Sequence, residues 1–354
     1  MAVGDWRDRS VKARATIAAK KALAALHART GRLEPRSPAD MATHRVETVS
    51  FLNVIGGEPT DASQGRLAFD RRRPQTEEAR GLFYSPAGMA WHHGALRERW
   101  SIRAPSAREI LARPPARART VRRAAIVESD LPYTYGDWVH AVLGPLLAGP
   151  ALDRPLLLPG FLAEKGYVRR DLATAGIDYE AMTDWVRVED ALILRKTFPL
   201  QYWAPEHTAA YRSVFEPDPP EPAPGSIVYL GRFDLKSEIG RARFPSERVA
   251  EAAGRLGASV VRQETLSPET SRALAGGVET VIGDHGSGLL NMLHWRPKAV
   301  IELTVDGWWV NNNLFVAKQL GVEDYAVLPV DGLGAEEIEQ RLQACLARFE
   351  GRRA

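Results

Sequence analysis

From residue 225 onward the chain alternates short apolar, β-branched runs with stretches of helical period, and that alternation leaves few folds open. Ser226–Leu230 reads as a strand, Pro245–Leu256 as a helix, Ala258–Arg262 as a strand and Ser267–Leu274 as a helix. Ser267 suits the N-cap of that last helix and Pro268 its first turn. Glu279–Gly283, Ala299–Leu303 and Asp324–Leu328 supply further strands before a terminal helix from about Ala335 to Phe349. Such alternation predicts a parallel sheet covered on both faces, whose ligands bind outside the carboxyl ends of the strands.

Upstream, Glu216–Gly225 holds five prolines in ten residues, which excludes a helix or central strand and makes a semi-rigid connector. It is the expected boundary between a domain over residues 41–222 and one over 223–354. Residues 1–40 form a basic helical extension, and the last helix is placed to pack back on the first domain. The first half is less regular: a β-rich stretch at Val46–Ile55, then strands at Val121–Val127, Leu156–Leu158 and Ala191–Leu194. A helix opens within Tyr133–His140. Two α/β domains on a proline linker imply a cleft between them.

With 354 residues and 45% apolar content, the chain is long enough for two substantial cores. Its single Cys345 rules out an internal disulfide, and no Cys/His cluster has zinc spacing. With no apolar secretory leader in the N-terminal stretch, a cytoplasmic location is expected. No run of about 18 apolar residues is present to span a bilayer. The net charge of +3 is unevenly spread: residues 1–36 carry nine Lys/Arg against three Asp/Glu. An alanine-rich helix over 10–30 with Lys12, Arg14, Lys20 and Lys21 could rest on an anionic membrane surface, although its apolar face is thin and a solvated or packed helix explains it too. A second basic run, Arg103–Arg123, is broken by Pro105, Pro114 and Pro115 and has no nucleic-acid motif beside it. It reads as a linker with solvated arginines, and no nucleic-acid partner is expected.

Within the alternating half, Val281–Asn291 is the segment with chemistry in it: a strand, then Asp284, His285, Gly286, Ser287 and Gly288, then a short helix. Glycines there allow angles a Cβ forbids, and a helix start presents unpaired N–H groups and partial positive charge to an anion. Ser287 and Asn291 can add donors and His285 a hydrogen bond or a charge, so a diphosphate fits. The plain alternative is a turn whose glycines merely bend the chain. The dinucleotide fingerprint fails at Asn291, where a third glycine belongs, and the nucleophile elbow fails at His285 and Leu289.

Taken in order, Leu230-Gly231-Arg232, Gly240-Arg241-Ala242-Arg243, Ser267-Pro268-Glu269-Thr270, the 281–293 segment and Ile301-Glu302-Leu303 resemble glycosyltransferase family 61 over roughly residues 120–330. The resemblance implies an α/β, GT-B-like architecture: two Rossmann-like domains facing a cleft, behind an N-terminal helical and β-rich extension. It places the nucleotide-sugar in the C-terminal domain and the acceptor in the N-terminal one, with inversion at the anomeric carbon. Donors in the family include UDP-xylose, UDP-arabinose and UDP-N-acetylglucosamine, and bacterial members are tied to capsule, lipopolysaccharide or exopolysaccharide assembly. The implied partners are therefore a nucleotide-sugar co-substrate and a glycan or glycolipid acceptor, at the inner face of the cytoplasmic membrane. In Thr134-Tyr135-Gly136-Asp137-Trp138, Asp137 stands where a histidine is common in the family.

Inverting transfer needs a base for the acceptor hydroxyl and positive charge for the departing diphosphate. Arg232, Lys236 and Arg241 are the candidate cations, with a solvated basic loop as the alternative, joined by His285, Gly286, Ser287, Gly288 and Asn291; Glu302 is the candidate for the ribose hydroxyls, with a capping or ion-paired carboxylate as its alternative role. Asp137 is the first choice of base, with His140, Asp130 and His285 behind it; helix capping is the alternative role for Asp137. Tyr135, Trp138 and Trp309 are candidate sugar or acceptor contacts. No Asp-x-Asp pair is present, so neither a metal nor another cofactor is expected. A noncatalytic nucleotide-binding module and a basic membrane-surface adaptor are the competing readings.

Overall fold

The structure is a computed structural model that describes residues 31, 33–34, 41–53, 60–72, 76–103, 105–129, 134–195, 205–215, 225–233, 244–266, 268–275, 277–305 and 312–353. The expected helix over 10–30 and the proline run before Gly225 lie outside them. In chain order the strands are β1 (Leu33–Glu34), β2 (Met41–Asn53), β3 (Thr60–Arg72), β4 (Thr76–Tyr84), β5 (Ala90–His92), β6 (Ala95–Arg97), β7 (Arg119–Val127) and β8 (Leu156–Pro159). They continue as β9 (Tyr179–Met182), β10 (Val186–Leu194), β11 (Ile227–Gly231), β12 (Ser259–Arg262), β13 (Thr280–Asp284), β14 (Ala299–Thr304) and β15 (Asp324–Pro329). The chain is α/β throughout, with one mixed and one largely parallel sheet in two compact units.

The first unit, which includes Phe69–Val214, holds a sheet ordered β1-β6-β5-β4-β10-β7-β8-β9. From β10 to β9 its strands run parallel, whereas β4, β5 and β6 form an antiparallel meander on the other flank of β10. Alternate residues of β10, Val186 and Val188, enter one core cluster with Leu82, Tyr84, Ile126 and Leu157. The stretch read as an arginine-rich linker is in fact built. Ser106 and Glu109 form a capping box on a helix at Ala107–Leu111, and Arg119–Val127 is β7. Three of its arginines pair with carboxylates, Arg103 with Glu109, Arg119 with Glu180 and Arg123 with Asp153, while Arg108, Arg113, Arg117 and Arg122 are exposed, as expected.

At the carboxyl end of β7 and β10 a charged group is sealed into this unit. Arg195, directly after β10, donates from Nε to Glu128 Oε2 at 2.8 Å and pairs through Nη1 with Glu77. Trp100 Nε1 donates to the second oxygen of Glu77 at 2.7 Å. Glu128 is wholly buried and the Arg195 side chain is 1% exposed, so each charge depends on the other. Arg195→Met keeps the stem but leaves the Glu128 charge without its guanidinium. The expected loss is about 3–5 kcal/mol in urea unfolding; a loss under about 1 kcal/mol would mean the pair is dispensable.

In the second unit the order is β12-β11-β13-β14-β15-β2-β3, with parallel pairing from β12 through to β2. Every residue of β13 and β14 is buried, as strands covered on both faces require. The expected elements of this half match within a residue or two, as at Ser246–Arg255 and Pro268–Ala275, except that the final helix, Ala335–Arg353, runs four residues past its expected end. Two expectations are corrected. The Val46–Ile55 stretch, read as part of the first domain, contributes β2 to this sheet, with Leu52 and Asn53 opposite Ala326 and Val327. The final helix packs on its own unit rather than back on the first domain: Ile338, Leu342, Cys345 and Phe349 join Tyr229, Val249, Ile282, Ile301 and Leu303 in one core. An apolar stripe settles on the nearest uncovered sheet face, which here is its own. Among the described residues no helix is long and apolar enough to cross a membrane.

Candidate functional site

From β11 the chain passes to β12 on one side, then crosses to β13 on the other side of β11. The strand order therefore reverses between β11 and β13, and at such a switch point diverging connections leave a crevice at the carboxyl ends. Arg232 follows β11 and His285 follows β13, so both stand at that crevice. Gly286, between the strand and a 3₁₀ turn at Ser287–Asn291, has φ 141° and ψ −165°, angles that glycine tolerates and other residues resist. A Cβ there would collide with the Arg232 guanidinium, and one at Gly288 with the Gln263 amide. The glycines thus let an arginine lie directly on the turn backbone. Arg232 Nε also donates to Gln263 Oε1 at 3.4 Å.

The short helix expected after the turn is a 3₁₀ turn of five residues followed by one α-turn, Met292–Trp295. So little aligned backbone adds little dipole, and positive charge at the turn comes mainly from Arg232. Asn291 braces the turn from within: Nδ2 donates to the Gly288 carbonyl at 2.8 Å and Oδ1 accepts from Ser271 Oγ at 3.0 Å. Ser287 stays half-exposed at its mouth.

Two buried carboxylates flank this turn on opposite faces of the sheet, because side chains alternate along a strand. Asp284 lies on the face shared with Tyr229 and the helix starting at Ser246. Its Oδ1 accepts from the Tyr229 hydroxyl at 3.0 Å; Oδ2 accepts from the Arg232 backbone N–H at 2.9 Å and Ser246 Oγ at 3.1 Å. Glu302 lies on the other face. Its Oε1 is 2.7 Å from His285 Nδ1 and accepts from Asn313 Nδ2 at 2.5 Å, while Oε2 accepts from the Tyr325 hydroxyl at 2.8 Å. Glu302 is 0% exposed with both oxygens engaged, which corrects the expectation that it meets ribose hydroxyls; it holds His285 instead.

In the first unit, Thr134 caps a helix that begins at Tyr135, and Asp137 completes the capping box. Its Oδ2 accepts from the Thr134 N–H at 3.0 Å and hydroxyl at 2.8 Å. The capping role is therefore real and compatible with an Asn in its place. His140, 5% exposed, sits in the π-helical turn Val139–Leu143 that follows. Trp138 is wholly buried and donates from Nε1 to Asp171 Oδ2 at 3.1 Å, so it packs the core and does not face a sugar. Tyr135 is half-buried against Tyr167, ring centroids 5.3 Å apart, and burial pushes both phenols up to about 12. Asp130, Lys236, Arg241 and Trp309 lie outside the described residues.

Sequence reasoning missed Asp284, Ser246, Gln263 and Tyr325 in the second unit, and Glu77, Asp171 and Arg195 in the first. Asp284 and Arg195 carried a readable signal, an ionisable residue ending an apolar strand; the others are recruited by pairing across the fold. Among the described residues no group of three or more His, Cys, Asp or Glu is disposed to hold a metal ion.

No family model matches the chain, and no curated protein matches it. Among solved structures it is similar to rubredoxin oxygen:oxidoreductase from the anaerobe Desulfovibrio gigas, at 13% identity and a TM-score of 0.28. That match covers 53% of this chain and 49% of the other, so the chain spans about half the length of that structure. A likeness so slight bears on neither fold nor function.

Burial pushes the Asp284 carboxyl up to about 6, against the pull of its three donors. The unfolded chain releases this proton near pH 4 and the folded protein near pH 6, so stability falls as pH rises through that window and levels above it. Asp284→Asn can keep every bond, its amide donating to the Tyr229 oxygen, and loses the titration. Relative to the parent protein, the variant is expected to gain about 2 kcal/mol of unfolding free energy between pH 4 and pH 7 in urea titrations. A difference that does not vary with pH would mean Asp284 is ionised throughout.

Proposed function

We propose that this protein is an inverting glycosyltransferase of GT-B-like arrangement, moving a sugar from a nucleotide-sugar to a hydroxyl of a glycan or glycolipid in cell-surface polysaccharide synthesis. The observation that carries the reading is the Arg232 guanidinium lying on the Gly286 turn at the switch point of a parallel sheet. A fixed cation at a glycine turn, where such sheets take their ligands, suits a diphosphate. The family resemblance supplies the sugar nucleotide, with UDP as the expected base and ribose, and the site at the inner face of the cytoplasmic membrane.

In the proposed reaction the acceptor oxygen attacks the anomeric carbon, the bond from that carbon to the diphosphate oxygen breaks, and the acceptor proton passes to a base. Arg232 meets the charge that grows on the leaving diphosphate, where oriented donors in a dry site act most strongly, with His285 at the neighbouring strand end. Asp137 is the base we assign. Its capping bonds survive an Asn substitution, so chemistry and folding can be separated there.

Release of nucleotide from a panel of UDP-, GDP-, dTDP- and CMP-sugars, with and without glycan acceptors, tests the proposal directly. Turnover of at least one donor is expected, and neither binding nor release from any would overturn it. Arg232→Ala should weaken nucleoside diphosphate binding tenfold or more, as loss of about 1.5–3 kcal/mol from a charged hydrogen bond implies. Asp137→Asn should lower transfer by about 10²–10⁴ while nucleotide affinity stays within about twofold. Near-normal transfer by that variant would remove Asp137 as base.

A further inference from the structure

Glu302 is surrounded on its buried face by three residues from three different elements. His285 follows β13, Asn313 lies in the helix Asn312–Gln319, and Tyr325 is in β15. Tyr325 stands opposite Val300 and reaches two residues along β14 to Glu302, the diagonal neighbour on the same face of adjacent strands. Asn313 Nδ2 points at two oxygens, Glu302 Oε1 and the Gly286 carbonyl at 3.4 Å, so the amide nitrogen and not its oxygen faces the cluster. One amide thus ties the glycine turn to the carboxylate.

We infer that Tyr325 and Asn313 are positioning residues that act through Glu302, holding the His285 imidazole with its proton on Nδ1. Tyr325 and Asn313 each commit a donor to Glu302, one on each oxygen. Burial first and the neighbouring Glu302 charge second push the Tyr325 phenol well above its ordinary range, so it stays protonated and donates. With donors committed to both oxygens, Glu302 faces the ring as an acceptor, and an accepting oxygen 2.7 Å from Nδ1 requires the proton on the ring nitrogen. The backbone adds a second restraint, the His285 N–H donating to the Leu303 carbonyl at 2.8 Å. A ring held in one orientation at the strand end beside the Gly286 turn suits a binding site, where outer partners fix the groups that meet a ligand. That functional consequence rests on the nucleotide-sugar reading; the protonation pattern does not.

Nuclear magnetic resonance of the full chain labelled with ¹⁵N-histidine separates the two. The chain has eight histidines, and the signal lost in His285→Gln identifies the ring. At about pH 8 the His285 spectrum is expected to show a protonated Nδ1 and a pyridine-like Nε2. Tyr325→Phe and Asn313→Ala should each raise the Nε2–H form and lower kcat by about tenfold or more, the scale of effect seen when an imidazole loses its outer hydrogen-bond partners. KM for the donor should move less than about threefold. A protonated Nε2 in the parent protein, or ring spectra unchanged in both variants, would overturn the inference, and if a variant fails to fold the parent spectrum alone decides it. A protonated Nδ1 in a protein that turns over no nucleotide-sugar would leave the positioning intact and sink the proposed reaction instead.

Discussion

Carboxylates sealed at the ends of covered strands are what the rest of this protein is arranged around. A charge in such a place is costly unless every lone pair finds a donor, so each one drafts neighbours from distant parts of the chain. Glu302 drafts His285, Asn313 and Tyr325; Asp284 drafts Tyr229, Ser246 and the backbone of Arg232; Glu128 drafts Arg195. Replacing any of the three with a hydrocarbon would simplify the packing. Their presence fixes loops that packing alone would leave free to adopt several positions.

In the second unit this has a directional result. Asp284 and Glu302 project from opposite faces of the same parallel sheet and bracket the residues between β13 and the 3₁₀ turn. One holds the start of the Arg232 loop, the other the ring of His285, and Gly286 lies between with no side chain to keep the guanidinium away. A cation, an imidazole and open backbone are thereby brought to one strand end by groups that themselves never reach solvent. The functional proposal draws on that convergence, and on the switch point that supplies the crevice.

Much of the second unit was legible because its signals are local. Strand runs, the Ser267-Pro268 start and the glycines after β13 each depend on a few adjacent residues, and the resulting elements fall within a residue or two of the reading. The first unit was harder to read. Its meander of β4, β5 and β6 has strands as short as three residues, and the arginines around β7 looked like a linker until Glu180 and Asp153, far along the chain, were found to pair with them. At the site, Arg232, His285 and the glycines were visible as a pattern, but the role of Glu302 was misjudged. A glutamate at a strand end reads alike whether it faces a ligand or a buried histidine, and only neighbouring strands decide which.

The sequence by itself determined the parallel α/β character of the second half, the place of its glycine turn and the residue types available there, because periodicity and backbone permissiveness are properties of short segments. Tertiary structure alone decided that β2 joins the far sheet, that the last helix covers its own unit, and that Glu302 faces inward to His285 and Tyr325 rather than outward. Those outcomes depend on which strands lie side by side and on the demand that each buried charge find its donors. No short stretch of chain contains that information.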